Sequence, residues 1–300
     1  MAPSLSSRSR GAAVFATLLL LTGCGRQTAS APLPRTDAPG QPLPRELVAA
    51  WTKAGATVGW IQVDQGLLLF REGVEGKPGE MPAFSFLKWT GGVVDQLPLP
   101  QRAFGLDLSR TAVTDTGLKE LAALNGLQAL DLSETAVTDA GMKELAGLKE
   151  LRALELVRTA VTDAGLKELA ALNGLRMLEL IDTKVTDAGM KELAALKGLQ
   201  RLSLGGTKVT DAGMKELAAL KGLRTLLLSY TEVTDAGMKE LAVLKELETL
   251  DLAGTKVTDA GLKELAALKG LEALDLAGTQ VTDTGATEIR KALPALGIRR

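Results

Sequence analysis

Between residues 103 and 292 the apolar positions return every 24 residues, and within each period they follow two spacings in turn. In the unit Leu127–Glu150, Leu127, Leu130 and Leu132 come first; the last two are two apart and share one face of an extended strand. Met142, Leu145 and Leu148 follow at intervals of three, the stripe of an amphipathic helix. Thr138 stands where a hydroxyl caps a helix start, and Asp139 where a carboxylate meets the positive end of the helix dipole. A strand and a helix in each of eight units, beginning at Ala103, Leu127, Leu151, Leu175, Leu199, Leu223, Leu247 and Leu271, predict a solenoid. Glycine stands in the first helical turn of every unit, from Gly117 to Gly285. It costs about 1 kcal/mol there relative to alanine. Its repetition predicts a close approach between neighbouring helices.

The period fails at both ends of the array, where a stacked core needs covers. Residues 45–102 contain Trp51, Trp60, Trp89, Phe70, Phe84 and Phe86, with a helix predicted over Leu47–Ala54 and strands over Thr57–Val63 and Gly66–Arg71. This segment is expected to be an N-terminal cap; a separate ligand module stacking its aromatics on glycans is the alternative. Residues 293–300 resemble the start of a ninth unit that arrives two residues early and ends on Arg299 and Arg300. Charge at that point blunts an open sheet edge.

Ahead of the cap, Arg8 and Arg10 precede the apolar run Gly11–Leu21, which is too short for a transmembrane helix and has the length of a signal-peptide core. The run ends in Leu21-Thr22-Gly23-Cys24, which resembles the lipobox of bacterial lipoproteins. That resemblance implies cleavage after residue 23, lipidation of Cys24, and attachment to a membrane of the bacterial cell envelope with the mature chain outside the cytoplasm. Gly25 in place of an Asp implies the outer membrane rather than the inner one. Residues 24–44 carry Pro32, Pro34, Pro39, Pro42 and Pro44 and read as a spacer. At ~3.1 Å per residue in polyproline II form it reaches about 60 Å.

Composition narrows the chemistry. The chain has no histidine and one cysteine, Cys24, which removes a Ser-His-Asp triad, a Cys-His pair, a Cys/His zinc site and an internal disulfide. A net charge of −1 gives no basic field for nucleic acid. Aromatics are 3% of residues, so the solenoid core must be aliphatic. No cofactor, no metal and no catalytic residue is expected, and the chain is read as a monomer rather than an enzyme.

The Leu-x-x-Leu-x-Leu half of each unit is similar to the leucine-rich repeat family. The Thr-x-Val-Thr-Asp-Ala-Gly half resembles that family's helical, ribonuclease-inhibitor-like branch. The resemblance implies an α/β leucine-rich repeat solenoid, with a curved parallel sheet lining a concave face and helices outside, and a protein or peptide as partner. Where many members carry Asn or Cys, every unit here has Thr, from Thr111 to Thr279, expected to bond backbone groups in the turn.

On such a fold the units differ where the concave face lies. Between the last two strand leucines stand Asp107, Asp131, Glu155, Glu179, Ser203, Leu227, Asp251 and Asp275. They are expected to stack side by side as an acidic strip for a basic partner. The opposing expectation is a strip partly neutralised by Arg152, Arg176, Arg201 and Arg224. Units three to six depart furthest, with Val157, Arg158, Met177, Ile181, Asp182, Arg201, Leu227 and Tyr230, the sole tyrosine. This mixture has the composition of an interface hot spot. The alternative is a structural spacer in which that variation carries no ligand.

Overall fold

The computed structural model describes residues 42–64 and 67–300. The expected signal peptide, Cys24 and linker residues 24–41 lie outside the described residues. The chain opens with helix α1 (Arg45–Lys53), then strands β1 (Ala56–Asp64), β2 (Leu67–Glu72) and β3 (Met81–Phe86). The repeats supply β4 (Phe104–Asp107), β5 (Leu127–Asp131), β6 (Ala153–Glu155), β7 (Met177–Glu179), β8 (Arg201–Ser203), β9 (Thr225–Leu227), β10 (Thr249–Asp251) and β11 (Ala273–Asp275). Each is followed by a short helix, such as Asp139–Leu145 and Asp187–Leu193. The partial ninth unit closes the array as β12 (Gly297–Arg299), parallel to β11.

Among the described residues the twelve strands form one sheet in the order β12-β11-β10-β9-β8-β7-β6-β5-β4-β3-β1-β2. From β5 to β11 the register is unchanged: Leu130, Leu154, Leu178, Leu202, Leu226, Leu250 and Leu274 are aligned partners. These leucines and the helix stripes make one continuous aliphatic core along the array. The period of 24 produces this because each unit places the same residue at the same height, so burial is shared between neighbours rather than completed within one unit.

Three polar devices recur with the period. Each Thr from Thr111 to Thr279 donates its hydroxyl to the carbonyl three residues earlier, at 2.6–2.7 Å. From Thr138 to Thr282 the helix caps accept a backbone N–H as expected, Thr138 from Ala140 for example, whereas Thr114 of the first unit caps no N–H. The Asp after each cap does more than meet a dipole. Asp139 accepts from Thr162 N–H and Thr162 Oγ1, both at 2.7 Å, in the next unit. The same clasp runs through all seven junctions, from Asp115 on Thr138 to Asp259 on Thr282. It also explains the first-turn glycines. A Cβ on Gly189 would lie 2.5 Å from Asp163 Oδ1 and 2.7 Å from Leu166 Cδ1 of the preceding unit.

The segment before the repeats extends the same sheet. Its helix begins two residues earlier than expected, and β3, absent from the sequence reading, joins the cap to the solenoid by pairing parallel with β4. Phe84 and Phe86 sit on β3 in the core, where Trp51 stacks on Phe84 at 4.3 Å and meets Phe104 edge-on. Trp60 is also buried, and its indole N–H donates to Gly73 O. Trp51, Trp60, Phe84 and Phe86 are thus buried in the packing of this segment, whereas Trp89 and Phe70 are half-buried.

Candidate binding face

Along each strand, side chains that do not enter the leucine core point to the opposite face of the sheet. Four parallel rows result. Gly105, Ala129, Ala153, Met177, Arg201, Thr225, Thr249 and Ala273 form the first. Asp107, Asp131, Glu155, Glu179, Ser203, Leu227, Asp251 and Asp275 form the second, each aligned with the next. Ser133, Val157, Ile181, Gly205 and Ser229 lie in the third. The fourth is a turn row: Arg110, Glu134, Arg158, Asp182 and Tyr230 with Gly206, Gly254 and Gly278, all at φ between 55° and 72°.

The acids are brought together as the spacing predicts, but they are not an open strip. Asp131, Glu155, Glu179, Asp251 and Asp275 are buried and Asp107 is half-buried. Aspartate has a local use here: its carboxylate accepts the N–H two residues on. Examples are Ser133 to Asp131 at 2.8 Å and Ala253 to Asp251 at 2.8 Å. Burial pushes Asp131 up to about 6, opposed by the bond from Ser133 N–H and aided by neighbouring Asp107. Burial, with neighbouring Asp275, likewise lifts Asp251 to about 6, against the Ala253 bond. Burial raises Glu179, which Arg201 partly offsets through a 2.7 Å bond from Nε. Burial raises Glu155 well above the usual carboxylate range, with Asp131 and Glu179 adding to the effect.

The expected neutralisation is also corrected. Arg201 reaches the row. Arg152 instead pairs with Glu150, Arg176 donates to Gly198 O and Arg224 pairs with Glu248, because the second position of the unit lies away from the acids. Arg299 of the closing strand, unforeseen, pairs with Asp275 at 3.1 Å.

Half of the face is already occupied by the chain itself. The β1–β2 hairpin lies across it. Ile61, Leu68, Met81 and Ala83 of the cap form a second apolar cluster with Ala129, Ala153 and Met177. Leu68 N–H donates to Glu155 Oε1 at 2.5 Å. The small residues make room for this: a Cβ on Gly105 would stand 2.7 Å from Ile61 Cδ1. The run Gly105, Ala129, Ala153, giving way to Arg201 and Thr225, was the one sequence signal that something rests there.

Of the variable residues, Met177 is buried in that cluster, Leu227 is buried in the acid row and Ile181 is half-buried. Arg158, Asp182 and Tyr230 stand on the turn row, at the rim. Arg158 bonds Asp182 at 3.2 Å and approaches Glu134 at 3.5 Å, and Arg110 approaches Glu134 at 3.4 Å. This chain of alternating charges ends at Gly206. Beyond it Tyr230 is 60% exposed, its ring lying on Gly254, where any Cβ would come within 2.6 Å of Cδ1. The left-handed turn was signalled only by the three glycines sharing one position. Among the described residues, no group of three or more acids or other ligands is arranged for a metal ion, and no helix is long and apolar enough to cross a membrane.

The chain matches the leucine-rich repeat family model over residues 106–122, 125–146, 199–218, 245–266 and 271–289. The units between these stretches are those starting at Leu151, Leu175 and Leu223, which carry Val157, Ile181 and Tyr230; the strand register passes through them unchanged. Comparison with curated protein sequences gives no match. Among solved structures, internalin C2 from Listeria monocytogenes is similar at 24% identity and a TM-score of 0.54, covering 83% of this chain and 100% of that one. An internalin from the same organism is similar at 22% identity and a TM-score of 0.50, over 65% of this chain. This chain spans 60% of that internalin's length. The repeat period, the unbroken parallel register and the matched stretches make the fold a leucine-rich repeat solenoid.

Proposed function

We propose that this protein is a lipid-anchored component of the bacterial cell envelope that binds a protein or peptide partner on the part of the sheet face beyond its own hairpin. The observation that carries this reading is Tyr230. It is a large, 60% exposed side chain on the rim of a sheet face otherwise lined by small residues such as Thr225, Thr249 and Ala273. An exposed tyrosine over a flat, rigid shelf of glycines has little ordering entropy to lose and much area to bury, the properties of an interface anchor. The carboxylates contribute less than their number suggests, since most are buried; a basic partner would meet Asp182 on the rim. Tethering through Cys24 rests on the lipobox resemblance. A Cys24→Ser chain is expected to leave the membrane fraction.

The direct test places a photo-crosslinking side chain at position 230 in cells and another at the exposed helix residue Lys191. A discrete adduct from 230 and none from 191, abolished by Arg158→Ala with Asp182→Ala, supports the proposal. Adducts at neither position favour the second reading, a rigid spacer. That alternative has its own observation: the Asp–Thr clasp is continuous through all seven junctions and stiffens the array whatever it binds.

A further inference from the structure

The contact between hairpin and acid row holds more negative charge than its surroundings compensate. Glu155 and Glu179 are aligned partners on β6 and β7, 5% and 0% exposed. Asp131 on β5 flanks Glu155 on the other side. The positive charge at hand is Arg201 on β8, which bonds Glu179 Oε1 and leaves Glu179 Oε2 buried without a hydrogen-bond partner. Ser203, also on β8, has a buried hydroxyl but no charge to offer. Asp107 on β4 is engaged by Ser85 and Ser109. From above, the hairpin brings the Leu68 N–H and apolar side chains; Arg71 of β2 is committed to Glu80, and Asp64 ends β1. Two ionised carboxylates side by side under an apolar cover are mutually excluded unless one is neutral.

We propose that Glu155 and Glu179 hold one proton between them, and that this proton keeps the β1–β2 hairpin seated on the sheet. With Glu179 ionised against Arg201, the proton resides on Glu155. Glu155 Oε1 remains the acceptor for Leu68 N–H. Loss of the proton puts three adjacent carboxylates beneath Leu68 and Ile61 with one arginine among them. The relief open to the molecule is to admit water by lifting the hairpin, which uncovers Ala129, Ala153 and Met177. The face is thereby wider once Glu155 has lost its proton than at lower pH. This device stands whether or not the face takes a partner.

The test is hydrogen exchange of the Leu68 amide in the intact chain from pH 5 to pH 9, corrected for base catalysis and referenced to the core amide of Leu204. Protection of Leu68 is expected to be flat at low pH and then to fall up to tenfold per pH unit as Glu155 ionises, while Leu204 stays protected. Glu155→Gln keeps a carbonyl for Leu68 N–H and carries no charge, so its protection is expected to be flat to pH 9. Glu179→Gln, a milder variant should Glu155→Gln fail to fold, removes the like charge and is expected to shrink the fall at least tenfold. Ser203→Ala is expected to keep the wild-type profile. Wild-type protection that does not change with pH overturns the proposal, as does a fall that survives unchanged in the glutamine variants.

Discussion

At the scale of single residues the repeat is held by groups whose partners lie one period away. Asp187 accepts from Thr210 N–H, Thr210 Oγ1 and Gly213 N–H. Asp187→Ala leaves those donors unsatisfied and is expected to cost about 1–3 kcal/mol in urea unfolding, with Asp187→Asn costing less because one carbonyl oxygen remains. Gly213→Ala sets two effects against each other. Helix propensity favours alanine by about 1 kcal/mol, but a Cβ there would meet Asp187 Oδ1 at 2.6 Å and Met190 Cγ at 2.8 Å. Overpacking of about 1–3 kcal/mol wins, and the variant is expected to unfold at lower urea than wild type. At Tyr230, with φ of 57°, glycine and valine separate backbone from side chain. Tyr230→Val is expected to be about 1–2 kcal/mol less stable than Tyr230→Gly, since both lose the ring and only valine opposes the left-handed turn.

Strands and helices add a titration that no single unit contains. Asp131 and Asp251 stand at about 6 in the folded chain against 3.8 ordinarily, both chiefly through burial. A carboxyl whose folded value is raised binds more protons folded than unfolded between those two values. Stability therefore falls as pH rises from about 4 to about 6, on the order of 2–3 kcal/mol per group. Below that window the sign reverses, because hydrogen bonds from Thr282 hold Asp259 below the usual range and those from Arg71 do the same for Glu80. Urea midpoints are accordingly expected to be highest near pH 4–5 and lower at pH 7.5. A midpoint higher at pH 7.5 would show that the acid row is solvated. The lesson for sequence reading lies in the same row. Its alignment follows from the period alone, whereas its burial follows from the hairpin above Glu155 and from the turn each Asp closes on its own backbone.

For the molecule as a whole, stability is one-dimensional, and its two ends decide solubility. The N-terminal end is sealed by the Trp51, Phe84 and Phe104 cluster, and the C-terminal end by residues 293–300, where Leu293 and Leu296 are buried and Arg299 holds Asp275. Removing residues 293–300 opens the edge of β11 and the leucines behind it. The truncated chain is expected to scatter light at concentrations where the intact chain stays monodisperse.

The 24-residue period by itself determined the solenoid, its register, the capping threonines and the positions of the core leucines of the repeats, because those depend on contacts that repeat and so leave a periodic trace. Close approach at the first-turn glycines was legible for the same reason, though its agent, the carboxylate of the preceding unit, was not. What the tertiary structure alone decided lies where the period is broken. Residues 45–102 are met once, so nothing in their spacing tells that β3 continues the sheet or that β1 and β2 turn back over it. The environment of Glu155 and Glu179 depends on that fold-back, and a charge's surroundings, unlike its place in a repeat, exist only once distant segments have met.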